Sequence, residues 1–272
     1  MTTRMIHTEW LHLQEVHQQA RLTLVGAGPG DPELITFKAV KALQEADVVL
    51  YDALVDPSLL KHAPQAIHQY VGKRAGQHYL SQLEINRKIV EMAVRHGHVV
   101  RLKGGDPFIF GRGQEELAFA AEFHIPTTYV PGISSAIAVP GLAGIPLTSR
   151  GVNESFWVTT GTTSCGALSS DIPLAAQSSA TVVILMGMSK LPEIVRIFES
   201  YRTPDLPVAV IQSGSTPSER KVFGTLRNIE ERVEEQQLVT PAIIILGEVV
   251  AHSQSYTEYL KALFTQPVNG TE

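Results

Sequence analysis

The sequence predicts an α/β protein of two domains, and three observations lead there. From Leu22 onward, apolar runs that read as strands alternate with longer segments of helical spacing, the pattern of helices layered on sheets. A stretch broken by Pro140, Gly141, Gly144 and Pro146 interrupts this alternation, which then resumes. Glycine-rich loops follow several of the strand-like runs, and glycine lets backbone come close to a ligand.

The elements follow in order. "LTLVG" reads as a strand, and "TFKAVKALQEA" as a helix with Phe37, Val40 and Leu43 at helical spacing. "DVVLYD" is a buried strand ending in two polar groups. "SQLEINRKIVEMAVRHG" is an amphipathic helix, with Ser81 as N-cap and Gly97 just past its end. "HVVRLKGGD" is a strand entering a glycine loop, "GQEELAFAAEFH" a helix, and "TTYVPG" a strand and turn. "ISSAIAVPGLAGIPLTSRG" reads as a short helix and then a linker. The second half supplies strands in "SFWVTTG", "ATVVILMG", "PVAVIQSG", "RKVFGTL" and "PAIIILGEVV", and helices in "LPEIVRIFESY" and "NIEERVEEQQ". The expected organisation is a polar extension over 1–20, an N-terminal α/β domain over 21–137, a linker over 138–150, a C-terminal α/β domain over 151–264 and a tail over 265–272.

Composition narrows the function classes. The 272 residues are 44% hydrophobic and 18% charged, a balance that supports a buried core. A formal net charge of −5 gives no global attraction to nucleic acid or to an anionic membrane. No apolar run approaches the roughly 20 residues that span a bilayer, and the first 20 residues lack a signal peptide's apolar centre. Cys165 is the one cysteine, so neither an intramolecular disulfide nor a multi-cysteine metal site is available. The "HGH" pair, His96 and His98, is expected at the surface beside a helix end rather than on a metal.

The loop "GAGPGDP" resembles a dinucleotide fingerprint only superficially, because its spacing lacks the third glycine that packs a Rossmann helix on its strand. Pro29 and Pro32 each remove an N–H that a phosphate nest would use, and Asp31 would repel a phosphate. Two readings remain: a tight turn with Asp31 capping the helix, or a backbone-lined pocket for a ligand that is not strongly anionic. A second loop, "RLKGGDPFIFGRGQEE", carries Gly104, Gly105, Gly111 and Gly113, with Asp106 as an acceptor and Arg112 able to fork onto a carboxylate. Glu115 and Glu116 read as first-turn residues favoured by the helix dipole. In "VPGISSAIA", Ser134 and Ser135 stand at a helix start, where serine caps. Tyr51 and Asp52 in "VVLYDALV", and Lys73 and Arg74 in "YVGKRAGQH", bring titratable groups to strand ends.

Taken in order, "VGAGPGDPELIT", "YDALV", "VGKRAG", "RLKGGDPFIFGRGQEE", "PGISSAIA", "GIPLTSRG" and "TPAIIILGEVV" resemble the tetrapyrrole (precorrin/corrin) methylases over about residues 21–252. "GKRAG" and "GGDPFIFGRG" together are the specific part. The resemblance implies a two-domain tetrapyrrole methylase fold with the cofactor in the interdomain cleft, a homodimer, and a cytoplasmic setting. It implies S-adenosyl-L-methionine as methyl donor, with S-adenosyl-L-homocysteine as by-product. The implied substrate is uroporphyrinogen III, methylated at two ring carbons through precorrin-1 to precorrin-2. By motif, Pro29, Gly104, Gly105, Asp106, Ile109, Ser134, Ser135, Met186, Gly214 and Ala242 carry over to the cofactor site. Asp52 carries over as proton acceptor and Lys73 as proton donor, while Arg74 and Arg112 match basic positions near the substrate.

The implied donor carries a sulfonium and an adenosine but no phosphate, which agrees with a phosphate-hostile first loop. Methyl transfer to an electron-rich pyrrole carbon needs alignment and proton removal rather than an enzyme nucleophile. The substrate is a polycarboxylate, so Lys73, Arg74, Arg101, Lys103, Arg112 and Arg150 are expected to meet it, Arg101 and Lys103 sharing one face of their strand. Ser149 and Thr162 stand where many relatives carry histidine. The alternatives are another methylase of this family acting on a later precursor, which "GKRAG" argues against, and a nucleotide-binding oxidoreductase, which the missing Rossmann spacing argues against.

Overall fold

The computed structural model describes residues 19–72 and 81–265. The chain divides into two compact units, Met1–Ser134 and Ser135–Glu272.

The first unit is built on a sheet of five strands: β1 (Arg21–Gly26), β2 (Val48–Tyr51), β3 (Ile67–Tyr70), β4 (His98–Lys103) and β5 (Thr127–Val130). Their order is β3-β2-β4-β1-β5, and every neighbouring pair is parallel. Parallel neighbours require crossover connections, and α1 (Phe37–Gln44), α2 (Gln82–His96) and α3 (Gly113–Glu122) lie in them. Both sheet faces are covered, so the strands read as nearly continuous apolar runs. Val25, Val49, Val100 and Leu102 pack with Ala39 and Leu43 of α1. Leu22, Leu50 and Val99 pack with Ile89 and Ala93 of α2 and Ala120 of α3.

Local chemistry sets the helix ends. The Thr36 hydroxyl caps α1 by accepting the Ala39 N–H at 3.2 Å. α2 starts in a reciprocal capping box: Ser81 Oγ accepts the Glu84 N–H, and Glu84 Oε2 accepts the Ser81 N–H at 2.6 Å. It ends at Gly97, whose φ of 107° suits glycine. Asp31 caps a single 3-10 turn, Pro32–Leu34, rather than α1.

The second unit carries β6 (Phe156–Thr160), β7 (Thr181–Leu185), β8 (Pro207–Gln212), β9 (Arg220–Thr225) and β10 (Ala242–Leu246), in the order β6-β7-β10-β8-β9. Only β6 and β7 pair in parallel; the other neighbours are antiparallel. Its helices are α4 (Ser135–Leu142), α5 (Ile172–Gln177), α6 (Leu191–Glu199), α7 (Ile229–Glu235) and α8 (Gln254–Thr265). On α6, Leu191, Ile194, Val195 and Phe198 are buried at i, i+3, i+4 and i+7, the stripe that periodicity predicts. α4 runs through Pro140 to Leu142, into the stretch expected to be linker. The short α5 and α8, the latter anchored by buried Tyr256 and Tyr259, have no counterpart in the sequence reading, and β3, an edge strand with no buried residue, entered it only as the strand end ahead of Lys73 and Arg74.

His98 corrects an expectation, because it is buried at 2% exposure instead of sitting on the surface. Its Nδ1 lies 2.8 Å from the Glu45 carbonyl and its Nε2 2.8 Å from the Thr23 hydroxyl. A neutral ring with the proton on Nδ1 satisfies both, since Nε2 then accepts from Thr23. Burial pushes the imidazole below its ordinary pKa; the nearby Arg21 adds to this, and the bond to the Glu45 carbonyl opposes it.

Because the unfolded chain takes up a proton that the folded ring resists, the neutral ring's contribution is complete above about pH 6.5 and is lost as pH falls. Thermal unfolding across pH 7.5 to 5 is therefore expected to show a falling Tm, and His98→Gln to flatten that slope. An equal slope in the variant would count against the assignment.

Candidate active site

All five strands of the first sheet point the same way, so the loops that follow them share one edge, where open parallel sheets meet ligands. Gly26 ends β1, and a Cβ on it would sit 2.4 Å from the Gly132 nitrogen and 2.7 Å from the Gly105 oxygen. A Cβ on Gly132 would sit 2.3 Å from that same oxygen. Three loops are thus in backbone-to-backbone contact, which only glycine permits. Gly28 and Gly105 exchange main-chain hydrogen bonds of 3.3 and 2.6 Å, each with positive φ (88° and 64°). Pro29 follows within this braced turn, and a Cβ on Gly104 would lie 2.5 Å from the Leu54 Cβ.

Asp106 fastens the second loop to the third. Its Oδ1 accepts the Phe108 N–H at 2.8 Å; its Oδ2 accepts the Tyr129 hydroxyl at 2.6 Å and the Gly132 N–H at 3.1 Å. Phe108 stacks on Tyr129 with ring centroids 4.0 Å apart. Burial, and then the adjacent carboxylate, push the Tyr129 phenol well above its ordinary pKa, so it remains a donor. Around this core Leu54, Phe108, Ile109, Phe110 and Ile133 stay exposed.

Behind the edge, on the α2 and α3 face, lies a charge cluster. Glu116 Oε1 accepts from Arg101 Nε at 3.3 Å, Lys103 Nζ at 3.0 Å and Gln82 Nε2 at 3.2 Å. Arg101 Nη1 donates to the Leu50 and Leu102 carbonyls, and Nη2 reaches Asp52 Oδ2 at 3.2 Å. Asp52 Oδ1 accepts the Leu54 N–H at 3.2 Å. Arg101 and Lys103 do share a face, as their spacing predicts. The expectation that they meet substrate carboxylates is corrected, because both side chains are buried and committed to Glu116. Burial lowers the Lys103 pKa, the Arg101 charge lowers it further, and Glu116 opposes both.

Arg112 is different. It heads α3 in a left-handed conformation, φ 59°, with its side chain 55% exposed. It forks onto Glu115 at 2.8 and 2.7 Å, which holds the Glu115 carboxyl below its usual range. An exposed pair of this kind is worth only about 0.3–0.5 kcal/mol, so a ligand carboxylate can displace Glu115 at little cost. Lys73 and Arg74 lie outside the described residues.

In the second unit the sequence-predicted positions gather at one sheet edge. The register Thr160↔Leu185 and Ile243↔Leu185, with Ala242↔Gln212, places Met186, Ala242 and the 213–215 turn side by side. Met186 is non-glycine with φ 53°, and Ser213 and Ser215 share that region. Gly214 packs on α4, where a Cβ would lie 2.3 Å from Val139 Cγ1. Ser135 opens α4, and Ser134 ends the first unit. The predicted residues therefore fall into two groups: Asp52, Pro29, Gly104, Gly105, Asp106, Ile109, Arg112 and Ser134 in the first unit, and Ser135, Met186, Gly214 and Ala242 in the second.

Sequence reading missed Tyr129, Gly132 and the buried role of Glu116. The available signal was two charges, Arg101 and Lys103, inside an otherwise apolar strand, which demands a buried counter-charge.

Comparison with known proteins gives a consistent set of relatives. The family model described as Tetrapyrrole (Corrin/Porphyrin) Methylases matches residues 21–230. A uroporphyrinogen-III C-methyltransferase of Methanocaldococcus jannaschii is 46% identical over 233 residues, covering 85% of this chain and 96% of the relative. A siroheme synthase of Nitrosomonas europaea is 44% identical over 84% of this chain but 48% of its own length, so the chain spans about half of that relative. Among solved structures, the uroporphyrin-III C-methyl transferase of Thermus thermophilus complexed with S-adenyl homocysteine is 42% identical, with a TM-score of 0.73 over 85% of this chain and 98% of that one.

Removing one member of a buried charge cluster strands the others. Glu116→Ala is expected to cost about 3–5 kcal/mol in urea unfolding, while Glu115→Ala at the exposed pair costs under about 1 kcal/mol. Equal losses would contradict the burial of the cluster.

Proposed function

The chain belongs to the tetrapyrrole (corrin/porphyrin) methylases, and from that premise we propose that it methylates uroporphyrinogen III at two ring carbons, through precorrin-1 to precorrin-2. S-adenosyl-L-methionine is the donor. The product is of use to sirohaem, cobalamin or haem d1 formation. We also propose a cytoplasmic homodimer. Among the described residues no helix is long and apolar enough to cross a membrane.

The observation that carries this reading is the make-up of the first sheet's carboxyl edge. Pro29 offers no N–H to a phosphate, Asp31 adds negative charge, and Phe108, Ile109 and Phe110 expose apolar surface an adenosyl group can cover. When bound, the donor supplies an electrophilic methyl on a positively charged sulfur. The proposed donor residues are Pro29, Gly104, Gly105, Asp106, Ile109 and Ser134, with Ser135, Met186, Gly214 and Ala242 from the second unit. For Asp106 the proposal is indirect, because its carboxylate already holds the two loops together.

On the acceptor side, Asp52 is the proposed proton acceptor. Its carboxylate is fixed by Arg101 and by the Leu54 N–H, so its direction is set before substrate arrives. Lys73 is the proposed proton donor, and Arg74 and Arg112 the proposed partners of ring carboxylates. Arg112 suits that role because its guanidinium is exposed and its present partner is weakly held.

Incubation with uroporphyrinogen III and isotope-labelled donor, followed by mass spectrometry, is expected to show two methyl groups added per ring. A single methyl, or none on this ring but transfer to a later precursor, would overturn the substrate assignment. Arg112→Ala is expected to lower kcat/KM for the tetrapyrrole by about 10-fold or more, as loss of a charge-assisted bond of about 1.5–3 kcal/mol implies. Its Kd for S-adenosyl-L-homocysteine should be unchanged, and equal losses in both would remove Arg112 from the substrate side.

A further inference from the structure

Thr162 lies just beyond the end of β6, at the same sheet edge as Met186. Its hydroxyl donates to the Met186 carbonyl at 2.9 Å, across the gap between two strand ends. Thr162 is itself held: the Thr160 hydroxyl donates to the Thr162 carbonyl at 2.8 Å and accepts the Thr162 N–H at 3.3 Å. One residue earlier, the Gly161 N–H donates to the Leu185 carbonyl at 2.7 Å. A Cβ on Gly161 would lie 2.3 Å from the Gly187 Cα, so the two segments run in backbone contact.

The residue that receives this bond is strained. Met186 has φ 53°, a conformation that costs a non-glycine residue on the order of 1–3 kcal/mol and persists only where surroundings impose it. Its side chain does not impose it by packing, because Met186 is 51% exposed. The constraint comes through the main chain: orienting the Met186 carbonyl fixes the Met186–Gly187 peptide plane, and with it the surface presented beside Ala242. A hydrogen bond spent on an exposed, strained strand end contributes little to a core.

We propose that Thr162 is a positioning residue for the methyl donor, its hydroxyl holding the Met186 main chain in the conformation that donor binding uses. This rests on the placement of Met186 in the donor site. Valine preserves the shape and rotamer stiffness of threonine without the hydroxyl, and serine preserves the hydroxyl.

Calorimetry with S-adenosyl-L-homocysteine, steady-state kinetics and thermal unfolding on the full chain test it. Thr162→Val is expected to raise Kd for the by-product and KM for the donor by about 3- to 10-fold, the range of one lost hydrogen bond. KM for the tetrapyrrole and Tm should stay at the parent values, and Thr162→Ser should restore donor binding. Parental affinity in Thr162→Val, or no recovery in Thr162→Ser, would overturn the proposal. Hydrogen exchange of the 182–190 segment in the parent separates this from the site assignment. Protection on adding S-adenosyl-L-homocysteine supports Met186 at the donor site, so that an unaffected Thr162→Val then sinks the Thr162 role alone. Absence of protection sinks the Met186 assignment and the Thr162 role with it.

Discussion

Backbone-to-backbone contact among Gly26, Gly105 and Gly132 is the constraint on which the first unit's loop edge depends. Loops leaving neighbouring parallel strands normally diverge, because side chains hold them apart. Here the missing Cβ atoms let three loops close on one another, within 2.3 to 2.7 Å of where those atoms would stand. That proximity lets one carboxylate, Asp106, accept from the Gly132 main chain and from Tyr129 at once. Exposed Phe108, Ile109 and Phe110 are held up by this braced turn rather than by a core of their own.

Charge burial decides which cations remain available. β4 carries Arg101 and Lys103 into the face covered by α2 and α3, where water is excluded and an unpaired charge would be costly. Glu116 meets both, and the outer end of the Arg101 guanidinium reaches Asp52 at the edge. The cluster contains two cations and two carboxylates, so it adds no net charge to the edge. Arg112, by contrast, keeps its guanidinium exposed on a surface ion pair with Glu115. The same face therefore has a rigid inner layer that aims Asp52 and an outer layer whose ion pairs are weak enough to exchange.

The strand ends of the second unit are held by another route. Its strand ends carry positive-φ residues at Met186, Ser213 and Ser215, with the Glu219 carboxylate accepting the Ser215 N–H at 2.8 Å, Gly161 set against Gly187 and Gly214 set against α4. Strain of this kind is kept where neighbouring hydrogen bonds over-determine the backbone. The Ser213 N–H to the Pro241 carbonyl at 2.9 Å is one such bond, and the Thr162 hydroxyl to Met186 is another.

Much of this protein was legible in the chain itself. Helical patterns located α1, α2, α3 and α6, because apolar spacing and a capping serine such as Ser81 are local facts. Glycine and proline spacing marked the loops, and the absence of phosphate chemistry in "GAGPGDP" is a property of residue types. Tertiary structure decided what depends on distant partners. β3 could not be bounded because an edge strand needs no apolar run, and His98 could not be placed because its burial depends on Thr23 of the neighbouring strand and Glu45 at the end of α1. Arg101 and Arg112 were both expected to meet the substrate. One is buried on Glu116 while the other stays in water, since the direction of a side chain relative to a covered sheet face is fixed only when the helix that covers it has packed.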